Sequence, residues 1–263
     1  KVRTGARVFV GNDAVVPVGA DIPTGALIGI KSKPPKNEDM EAGGTWFGSP
    51  PIRLPVRQRF DTGSNWTYEP PKWKKFARAV FEAVHISLPT ILFITFGTWP
   101  VDVLGPALEA RDWFLMGVLF IACSIAISCA MMGVVIAVKW LTMGTYRPAT
   151  MPMWSWWAMR TEAVAVMYWG LGARVLLDHM RGTPFLPWTL RLLGAKFGKG
   201  VWMDSTDITE FDCVKVGDHC AINALSALQT HLYEDRVMKV GRVELAPAVT
   251  VGAGSTVLYD TKV

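Results

Sequence analysis

The first 30 residues of the chain repeat a six-residue pattern of apolar and small side chains. An aliphatic residue leads each repeat, at Val10, Val16, Ile22 and Ile28, and a small residue follows four positions later, at Ala14, Ala20 and Ala26. A fixed period with alternating bulk is typical of a parallel β-helix, in which each hexad forms one flat side of a triangular coil. Ordinary strands do not keep a period of six over four repeats. Residues 1–30 are therefore predicted to end a left-handed parallel β-helix domain.

The same hexapeptide repeat returns at the other end of the chain, in two registers. The first has Val216, Ile222 and Leu228 with the small residues Cys220 and Ser226, and the second has Leu245, Val251, Val257 and Val263 with Val249, Ser255 and Thr261. Residues 193–263 are predicted to begin a second left-handed β-helix domain. Residues 229–244 leave the pattern, and such loops are where β-solenoid proteins place their chemistry. Because both ends fall within repeats, we expect a piece of a longer protein.

A two-span transmembrane hairpin is predicted between the repeats, at residues 76–140. Residues 31–75 form a polar and then proline-rich linker. Two apolar runs follow at 83–101 and 113–138, and the second contains no charged residue. A membrane span needs about 20 apolar residues, which both runs approach or exceed. A buried helical pair in a soluble protein is the alternative interpretation.

Charged residues beside the two runs predict their orientation. The basic residues Lys72, Lys74, Lys75 and Arg78 precede the first run, Lys139 and Arg147 follow the second, and the turn between the runs is acidic. By the positive-inside rule, both β-helix domains are expected to face the cytoplasm from a multi-pass protein of the inner membrane. Residues 141–192 are predicted to hold an interfacial or packing helix at 154–177, because its charge-free part is too short to cross. A third span is the alternative.

The composition favours a membrane protein over a nucleic-acid-binding protein. Hydrophobic residues make up 51% of the chain, which has 12 tryptophans, and the net charge of +5 lies mostly beside the apolar runs. Apolar surface in this amount requires either a large core or lipid. The four cysteines lack the spacing of a metal site and are predicted to be reduced packing residues, so no metal is expected.

The segment QTHLYEDRVMK contains the strongest candidates for catalysis, His231, Glu234 and Asp235. Acyl transfer to an amine requires a base with a pKa near neutrality, because the acceptor ammonium must lose a proton. His231 is the candidate general base, and Asp235 or Glu234 is the candidate carboxylate that orients it. A surface loop with ordinary charges is the alternative.

Acidic residues are concentrated just before this segment. Asp204, Asp207, Glu210 and Asp212 lie within nine residues. Some are expected to face a cleft and to bind a cationic substrate, with a solvated face as the alternative. His85, His179 and His219 are weaker catalytic candidates, and His219 with His231 does not supply a three-histidine zinc site. The sequence contains no glycine-rich phosphate loop and no phosphopantetheine-attachment motif, so adenylation and carrier functions are expected elsewhere.

Five motifs follow one another along the chain: WFGSPPIRLP, RTE at 160–162, LLDHMRGTPFLPWTLRLLGAKFG, DSTDITEFD and LQTHLYEDRVMK. Together they resemble the carboxy-terminal membrane region of ε-poly-lysine synthetases and related nonribosomal peptide synthetase-like proteins. The resemblance covers nearly the whole chain. In that family an adenylation domain and a carrier domain are followed by transmembrane segments that separate three tandem acetyltransferase-like domains. Neither tandem domain is complete in this sequence.

The resemblance implies an aminoacyl or peptidyl transferase that forms amide bonds. Its acyl donor is an amino acid held as a thioester on the 4'-phosphopantetheine arm of a carrier domain outside this chain, and its acceptor is a free amino acid or the growing chain. The expected substrate-binding residues are Glu210, Asp204, Asp207, Arg160 and Glu162, the last two also being candidates for holding the interfacial helix. The implied partners are the bilayer, the adenylation and carrier domains and the substrate. No nucleic acid is expected, and a homo-oligomer is left open.

Two other functions are carried as alternatives. The first is a scaffold or exit conduit for a peptide made elsewhere, although neither span has an internal acid beyond Glu82 at its edge to line the path of a polycation. The second is a membrane acetyltransferase that uses acetyl-CoA.

Overall fold

The structure is a computed structural model that describes residues 1–55 and 66–263. The chain divides into two compact units. The first comprises Lys1–Gly63 with Glu234–Val237, and the second comprises Ser64–Tyr233 with Met238–Val263. Residues 56–65, part of the predicted linker 31–75, lie outside the described residues.

Short strands stack on one another in the first unit. They are β1 (Arg3–Thr4), β2 (Phe9–Val10), β3 (Asp21–Ile22), β4 (Leu27–Ile28), β5 (Thr45–Phe47) and β6 (Ile52–Arg53). β1 pairs with β3, and the others form a sheet in the order β2-β4-β5-β6. The pairs β1–β3, β2–β4 and β4–β5 are parallel and join residues 18 positions apart, such as Phe9 with Leu27. Three hexads thus separate each strand from the one stacked on it.

A residue with a positive φ recurs every six positions in this stack. These residues are Arg7 (55°), Asp13 (58°), Gly19 (88°), Gly25 (73°) and Lys31 (49°). Left-handed backbone turns the chain sharply, so each of them ends one short straight segment. The predicted inward residues Ile22 and Ile28 are fully buried, whereas Val10 is 41% exposed because β2 is an edge strand.

The stack continues beyond residue 30, where the sequence predicted that it ends. β5 pairs with β4 at the same 18-residue interval, which brings Trp46 beside Ile28. The polar residues between them are held in place, since the Asn37 side chain donates to the carbonyl of Gly19 at 3.0 Å and accepts from the N–H of Asp21 at 2.9 Å. The six-residue period is not visible in the sequence here, because a polar segment precedes β5 and a tryptophan takes the position of the aliphatic residue.

Two long helices, α1 (Lys72–Glu109) and α2 (Trp113–Thr142), occupy the predicted hairpin. They measure about 57 and about 45 Å at 1.5 Å per residue, and the apolar layer of a bilayer is about 30 Å thick. Only 11% and 22% of the residues in their most apolar windows are buried. A helical pair in a soluble core buries its apolar face, and this pair does not. Both helices are long and apolar enough to cross a membrane.

The turn between the two helices is shorter than predicted. In the sequence it lies between the two apolar runs, at residues 102–112, but α1 continues through Pro100 and Pro106 to Glu109. Proline is tolerated in apolar helices of this type because neighbouring groups can satisfy the freed carbonyls. Asp112 begins α2 as its N-cap, and its side chain accepts a hydrogen bond from the N–H of Leu115 at 3.0 Å.

The predicted interfacial helix at 154–177 is a packed helix. It consists of α3 (Trp156–Met167), a π-helical turn (Tyr168–Ala173) and a 3-10 turn (Leu177–Met180). Half of α3 and most of the π-helical turn are buried. The backbone at Gly172 approaches α2 so closely that a Cβ there would lie 3.2 Å from Sδ of Met132. Of the alternatives left open by the sequence, the packing role fits this segment.

The remaining elements are β7 (Ala149–Pro152), α4 (Phe185–Leu192), β8 (Lys196–Phe197), β9 (Trp202–Met203), β10 (Val214–Val216), β11 (Ala221–Ile222), β12 (Ala227–Gln229), β13 (His231–Glu234), β14 (Val237–Val240), β15 (Val243–Leu245), β16 (Thr250–Val251), β17 (Thr256–Leu258) and β18 (Thr261–Lys262). Three parallel sheets stack in the orders β18-β15-β10-β8, β16-β11-β9 and β12-β17.

The two predicted registers of the second repeat belong to one stack. The paired residues are Val216 with Leu245, Ile222 with Val251, and Leu228 with Val257. These partners are 29 positions apart, whereas Val243 and its partner Thr261 are 18 apart. The extra 11 residues are those of β13, β14 and their connections. The stretch that breaks the pattern is therefore a hairpin that leaves the stack and returns to it in register.

One hydrophobic core joins the helices to the second stack. Met132 and Val135 of α2, Leu171 of the π-helical turn and Leu190 of α4 lie in the same buried cluster as Val216 of β10. Because apolar burial is the main stabilising term in folding, the helices and the stack are expected to fold as one cooperative unit.

A buried ion pair fastens α2 to the second stack. Nζ of Lys139 lies 2.8 Å from Oδ2 of Asp212, and the Lys139 side chain is fully buried. The same oxygen accepts a hydrogen bond from the N–H of Tyr146 at 3.0 Å. Gly194, with a φ of 109°, makes room for the carboxylate, since a Cβ there would collide with it.

A second polar contact ties the π-helical turn to the same segment of the stack. The hydroxyl of Tyr168 donates to the carbonyl of Thr206 at 2.8 Å, and the hydroxyl of Thr206 donates to the Asp178 carboxylate at 2.7 Å. Burial alone would raise the pKa of Asp178. The hydrogen bonds from Thr206 and Arg181, with the charge of Arg181, outweigh that effect, so the pKa is lowered.

We expect Lys139→Met and Asp212→Asn each to destabilise the protein by about 3–5 kcal/mol, because each leaves one buried charge without its partner. The double variant should lose less than the two single losses combined, since neither charge is then left alone. Thermal unfolding in detergent measures all three variants. Lys196→Met, at an exposed lysine of β8, is the matched control. Additive losses in the double variant would contradict a coupled pair.

The lowered pKa of Asp178 predicts a pH-dependent contribution to stability. This contribution is fully present above the unfolded-state pKa and is lost as the pH falls through the lower folded-state pKa. The wild-type protein should therefore unfold at a higher temperature than Asp178→Asn at pH 7, and the difference should shrink as the pH is lowered below about 4. A difference that stays constant over this range would rule out the linkage.

Candidate functional site

A hairpin inserted into the second stack carries the predicted catalytic histidine. Its strands β13 and β14 are joined by Asp235 and Arg236, with φ values of 51° and 58°. Two consecutive left-handed residues are typical of a tight turn whose twist matches that of the flanking strands. His231 is the first residue of β13, so it lies at the base of the hairpin, where the chain leaves the stack.

His231 is hydrogen-bonded to Glu210. Its Nδ1 lies 2.8 Å from Oε2 and 3.0 Å from Oε1 of the carboxylate. The Glu210 side chain is 2% exposed and that of His231 is 16% exposed. An ionised carboxylate only accepts hydrogen bonds, so Nδ1 carries the proton and Nε2 of the neutral ring is the basic atom. Among the described residues no other hydrogen bond to the ring occurs.

The structure assigns this contact to a different carboxylate from the predicted ones. The sequence suggested Glu234 or Asp235 as the orienting group, and Glu210 as a substrate-binding residue. Glu210 instead occupies the position beside Nδ1 of His231. Glu234 is a buried residue at the end of β13, and Asp235 lies in the turn.

Two threonines surround the Glu210 carboxylate. Oγ1 of Thr230 lies 2.7 Å from Oε2 of Glu210 and 3.0 Å from Oγ1 of Thr209. The carbonyl oxygen of Thr209, at 2.8 Å, is the other possible acceptor for the Thr230 hydroxyl. When Thr230 donates to the carboxylate, Thr209 can donate to Thr230. A buried carboxylate requires such partners, because burial without them is strongly unfavourable.

Glu210 has a left-handed backbone, with φ 34° and ψ 61°. A residue with a Cβ pays about 1–3 kcal/mol for such a conformation, which persists only where the surroundings enforce it. The next two residues supply the restraint. The ring of Phe211 packs edge-on against that of Tyr168, with their centroids 5.0 Å apart, and Asp212 is bound to Lys139. The conformation that directs the Glu210 side chain towards His231 is thus imposed by its neighbours along the chain.

Tyr233 packs against the histidine ring. The rings of His231 and Tyr233 are edge to face, with centroids 4.8 Å apart. Burial raises the pKa of the Tyr233 hydroxyl well above its usual value, and the charges of Glu162 and Glu210 add to this effect. The hydroxyl therefore stays protonated at physiological pH.

A polar cluster around Arg78 lies within electrostatic range of Tyr233. The Arg78 guanidinium donates to Glu82 at 2.5 Å, to Glu162 at 2.7 Å and to the carbonyl of Met153 at 2.7 Å. Burial raises the pKa of the Glu162 carboxyl, and the charge of Arg78 opposes that rise. The sequence suggests Glu162 as a substrate-binding residue, and in the structure its carboxylate accepts from Arg78 at 2.7 Å.

The other predicted substrate-binding residues lie apart from the histidine's hydrogen bonds. Arg160 donates to the carbonyl of Thr142 at 2.9 Å, so it caps the last turn of α2. The Asp204 backbone N–H donates to the carbonyl of Ile222 at 2.8 Å, and its side chain is half-buried. Asp207 is exposed.

The interval between stacked strands is the signal that could have identified Glu210 from the sequence. Ile208 forms a parallel bridge with Leu228, 20 positions later. The same offset brings Glu210 to Thr230 and its neighbour His231. Residue periodicity within a stack therefore predicts side-chain neighbours, whereas distance along the chain had favoured Glu234 and Asp235. Neither rule identifies Arg78, whereas Tyr233 is two residues from His231 on the same strand.

Cysteine and metal chemistry have no support at this site. Burial raises the pKa of the Cys213 thiol to about 12, with the charges of Glu210 and Asp212 adding to the shift, so the nucleophilic thiolate is not formed near neutrality. Within residues 1–55 and 66–263, no group of three or more His, Cys, Asp or Glu side chains is arranged to hold a metal ion.

Comparison with known proteins relates the chain to one large enzyme. It is 37% identical over 264 residues to delta-poly-L-ornithine synthetase of Acinetobacter baumannii (strain AB307-0294), in an alignment that covers 99% of this chain and 20% of that protein. The chain thus spans about one fifth of the length of this curated relative. No protein-family model matches the chain, and no solved structure matches it. The similarity supports a synthetase-like protein related to a poly-amino-acid synthetase.

Proposed function

We propose that this chain is part of a membrane-bound, nonribosomal peptide synthetase-like enzyme and forms amide bonds by acyl transfer at His231. The observation that carries the proposal is the pair of His231 and Glu210, with Nδ1 bound to a buried carboxylate and Nε2 free of any described hydrogen-bond partner. The similarity of nearly the whole chain to a poly-amino-acid synthetase supports the same reaction class.

The pair is suited to general-base catalysis. An amine attacks a thioester only as the neutral nitrogen, and the tetrahedral intermediate must lose a proton from that nitrogen. Nε2 of His231 takes this proton. Glu210 holds the ring in the tautomer that leaves Nε2 basic, and its negative charge stabilises the imidazolium that forms.

The proposed reaction balances without an oxidant or a metal. The acyl donor is an aminoacyl thioester on the 4'-phosphopantetheine arm of a carrier domain outside this chain. A carbon–nitrogen bond forms between its carbonyl carbon and the acceptor amine, and the carbon–sulfur bond breaks. An acceptor that arrives as an ammonium first loses one proton to solvent. The neutral amine then attacks, and its second proton passes from the nitrogen to Nε2 of His231 and then to the departing thiolate.

The charges near the pair favour an acceptor with an ammonium group. Glu82 and Glu162 share one guanidinium, that of Arg78, so this cluster carries an excess of negative charge. Such a charge attracts a cation and can hold it until it loses a proton. We assign Glu162 to this role, with Asp204 and Asp207 as the outer candidates. In this proposal Arg160 supports α2.

We also propose that both stacks are turns of left-handed parallel β-helices, as in acetyltransferase-like domains. The 18-residue interval and the left-handed residue every six positions support a coil with three hexads per turn.

The proposed site adjoins the bilayer. In this proposal α1 and α2 cross the inner membrane with their basic ends on the cytoplasmic side, where the carrier and adenylation domains would deliver substrate. The exposed apolar surface of both helices supports this placement.

We expect His231→Asn in the full-length protein to reduce product formation by about 10²–10⁴-fold, because the general base is lost. Loading of the amino acid onto the carrier should be unchanged. Glu210→Gln should lower product formation in the same direction while keeping the shape of the side chain. Mass spectrometry of the peptide product and of the loaded carrier measures both quantities.

His219→Asn is the matched control for this experiment. His219 is exposed and also has a positive φ, which asparagine tolerates well. Full product formation by His231→Asn would refute the catalytic assignment and leave the chain as a scaffold for chemistry performed elsewhere.

Cysteine labelling tests the membrane placement. Cys129 of α2 is exposed, whereas Cys123, Cys213 and Cys220 are buried. We expect a water-soluble maleimide to leave Cys129 unlabelled in nanodiscs and to label it after unfolding in detergent, because lipid covers it. Lys215→Cys, on an exposed position of β10, should be labelled in both conditions. Rapid labelling of Cys129 in nanodiscs would place α2 in water.

A further inference from the structure

The short helix α4 presents an apolar face that no described residue covers. Phe185, Trp188 and Leu192 lie on one side at a helical spacing and are 54%, 55% and 58% exposed. Leu186 and Leu190, on the opposite side, are completely buried in the core shared with the second stack. The helix is therefore fixed on one face while large apolar side chains project from the other.

The exposed face of α4 extends onto neighbouring elements. The rings of Phe185 and Trp188 pack edge to face at 5.6 Å. Trp202 of β9 is 53% exposed and lies over the backbone of Gly182, where a Cβ would come within 3.0 Å of its ring. Gly182 thus makes the close approach of this tryptophan possible. Exposed aromatic and aliphatic side chains grouped near one another in this way are typical of an interaction site.

A hydrogen bond connects this surface to the end of α2. Nε1 of Trp140 donates to the carbonyl of Leu192 at 2.8 Å, and Leu141, next in the chain, is 86% exposed. A helix about 45 Å long extends beyond an apolar layer of about 30 Å at its ends, so Trp140 belongs at the headgroup level if α2 crosses a membrane. Leu192 and the rest of α4 are then held at the same level.

The charge of the surrounding segment also fits a lipid surface. From Arg181 to Met203 the sequence has four basic residues and no acidic residue. Arg181 is paired with Asp178, and Arg191 donates to the carbonyls of Phe197 and Gly198. Lys196 and Lys199 are exposed and are the cations of this segment that face solvent. Amphipathic helices with tryptophan, phenylalanine and leucine on one face and basic residues nearby lie in the plane of the interface, about 5–10 Å into the headgroup region. Charged or polar side chains would be expected on this face if it only met water.

We propose that α4 is a membrane-surface helix that docks the second stack on anionic lipid headgroups through Phe185, Trp188 and Leu192. The proposal rests on the membrane placement of α1 and α2 put forward above. Residues 154–177, predicted to be an interfacial or packing helix, are packed in the core, and α4 supplies the exposed face. Docking there fixes the height of His231 above the membrane and hence the distance that a carrier-bound substrate must span.

Depth-dependent fluorescence quenching tests the proposal in the full-length protein. The variant Trp188→Cys is made in a background without other reactive cysteines and is labelled with an environment-sensitive dye. The labelled protein is placed in nanodiscs of phosphatidylcholine and phosphatidylglycerol. A nitroxide attached to the lipid near the headgroup should quench the dye at position 188 at least about twofold more strongly than the same dye at Lys215→Cys. Only position 188 is expected to lie in the interface. A nitroxide at the bilayer centre should quench it weakly.

A third position separates the failure of this proposal from failure of the membrane placement. A dye at Ile125→Cys, near the middle of α2 and 60% exposed, should be quenched by the deep nitroxide. Quenching at position 125 without quenching at position 188 would overturn the docking of α4 and leave the hairpin in the membrane. No quenching at either position would overturn both. A change at position 188 that appears only with rising protein concentration or added protein would assign the face to a second copy or another partner.

Discussion

The arrangement around His231 depends on the buried ion pair between Lys139 and Asp212. Two charges in an apolar surrounding are stable only together, so the end of α2 and the start of the second stack have one favourable relative position. Asp212 is two residues from Glu210. Fixing Asp212 therefore restricts where the Glu210 carboxylate can lie, and the contact of Phe211 with Tyr168 removes the remaining freedom. Lys139, which lies near the end of α2, therefore also holds this helix against the second stack.

The stack contributes the second constraint, because it converts an interval along the chain into contact in space. Residues about 20 positions apart, on adjacent turns, bring Thr209 and Glu210 to Thr230 and His231. The hairpin β13–β14 is inserted just after this point and returns in register, so it leaves the stack below and above it undisturbed. A hairpin with new polar side chains can thus be inserted into a repeating scaffold without altering its core.

Local pattern explains which features were predictable from the sequence. The hexads specify short inward-facing strands, and two long apolar runs specify long helices, because each depends on neighbours a few residues away. The extension of the first stack to Trp46 was missed, since a polar excursion conceals the period. The partner of His231 was assigned to Glu234 or Asp235 because sequence proximity was the guide. Lys139 with Asp212 and Arg78 with Glu162 join residues 73 and 84 positions apart, which no periodicity connects.

The left-handed backbone at Glu210 places two opposing demands on one position. The conformation itself suits glycine, asparagine or aspartate, whereas the contact with His231 requires a carboxylate at the end of a two-methylene side chain. Aspartate would relieve the backbone but would withdraw the carboxylate by roughly 1.5 Å, about one carbon–carbon bond, and so beyond hydrogen-bond reach. Relatives under selection for activity should therefore keep glutamate here at a cost in stability, while copies that have lost the reaction are free to drift towards glycine or asparagine.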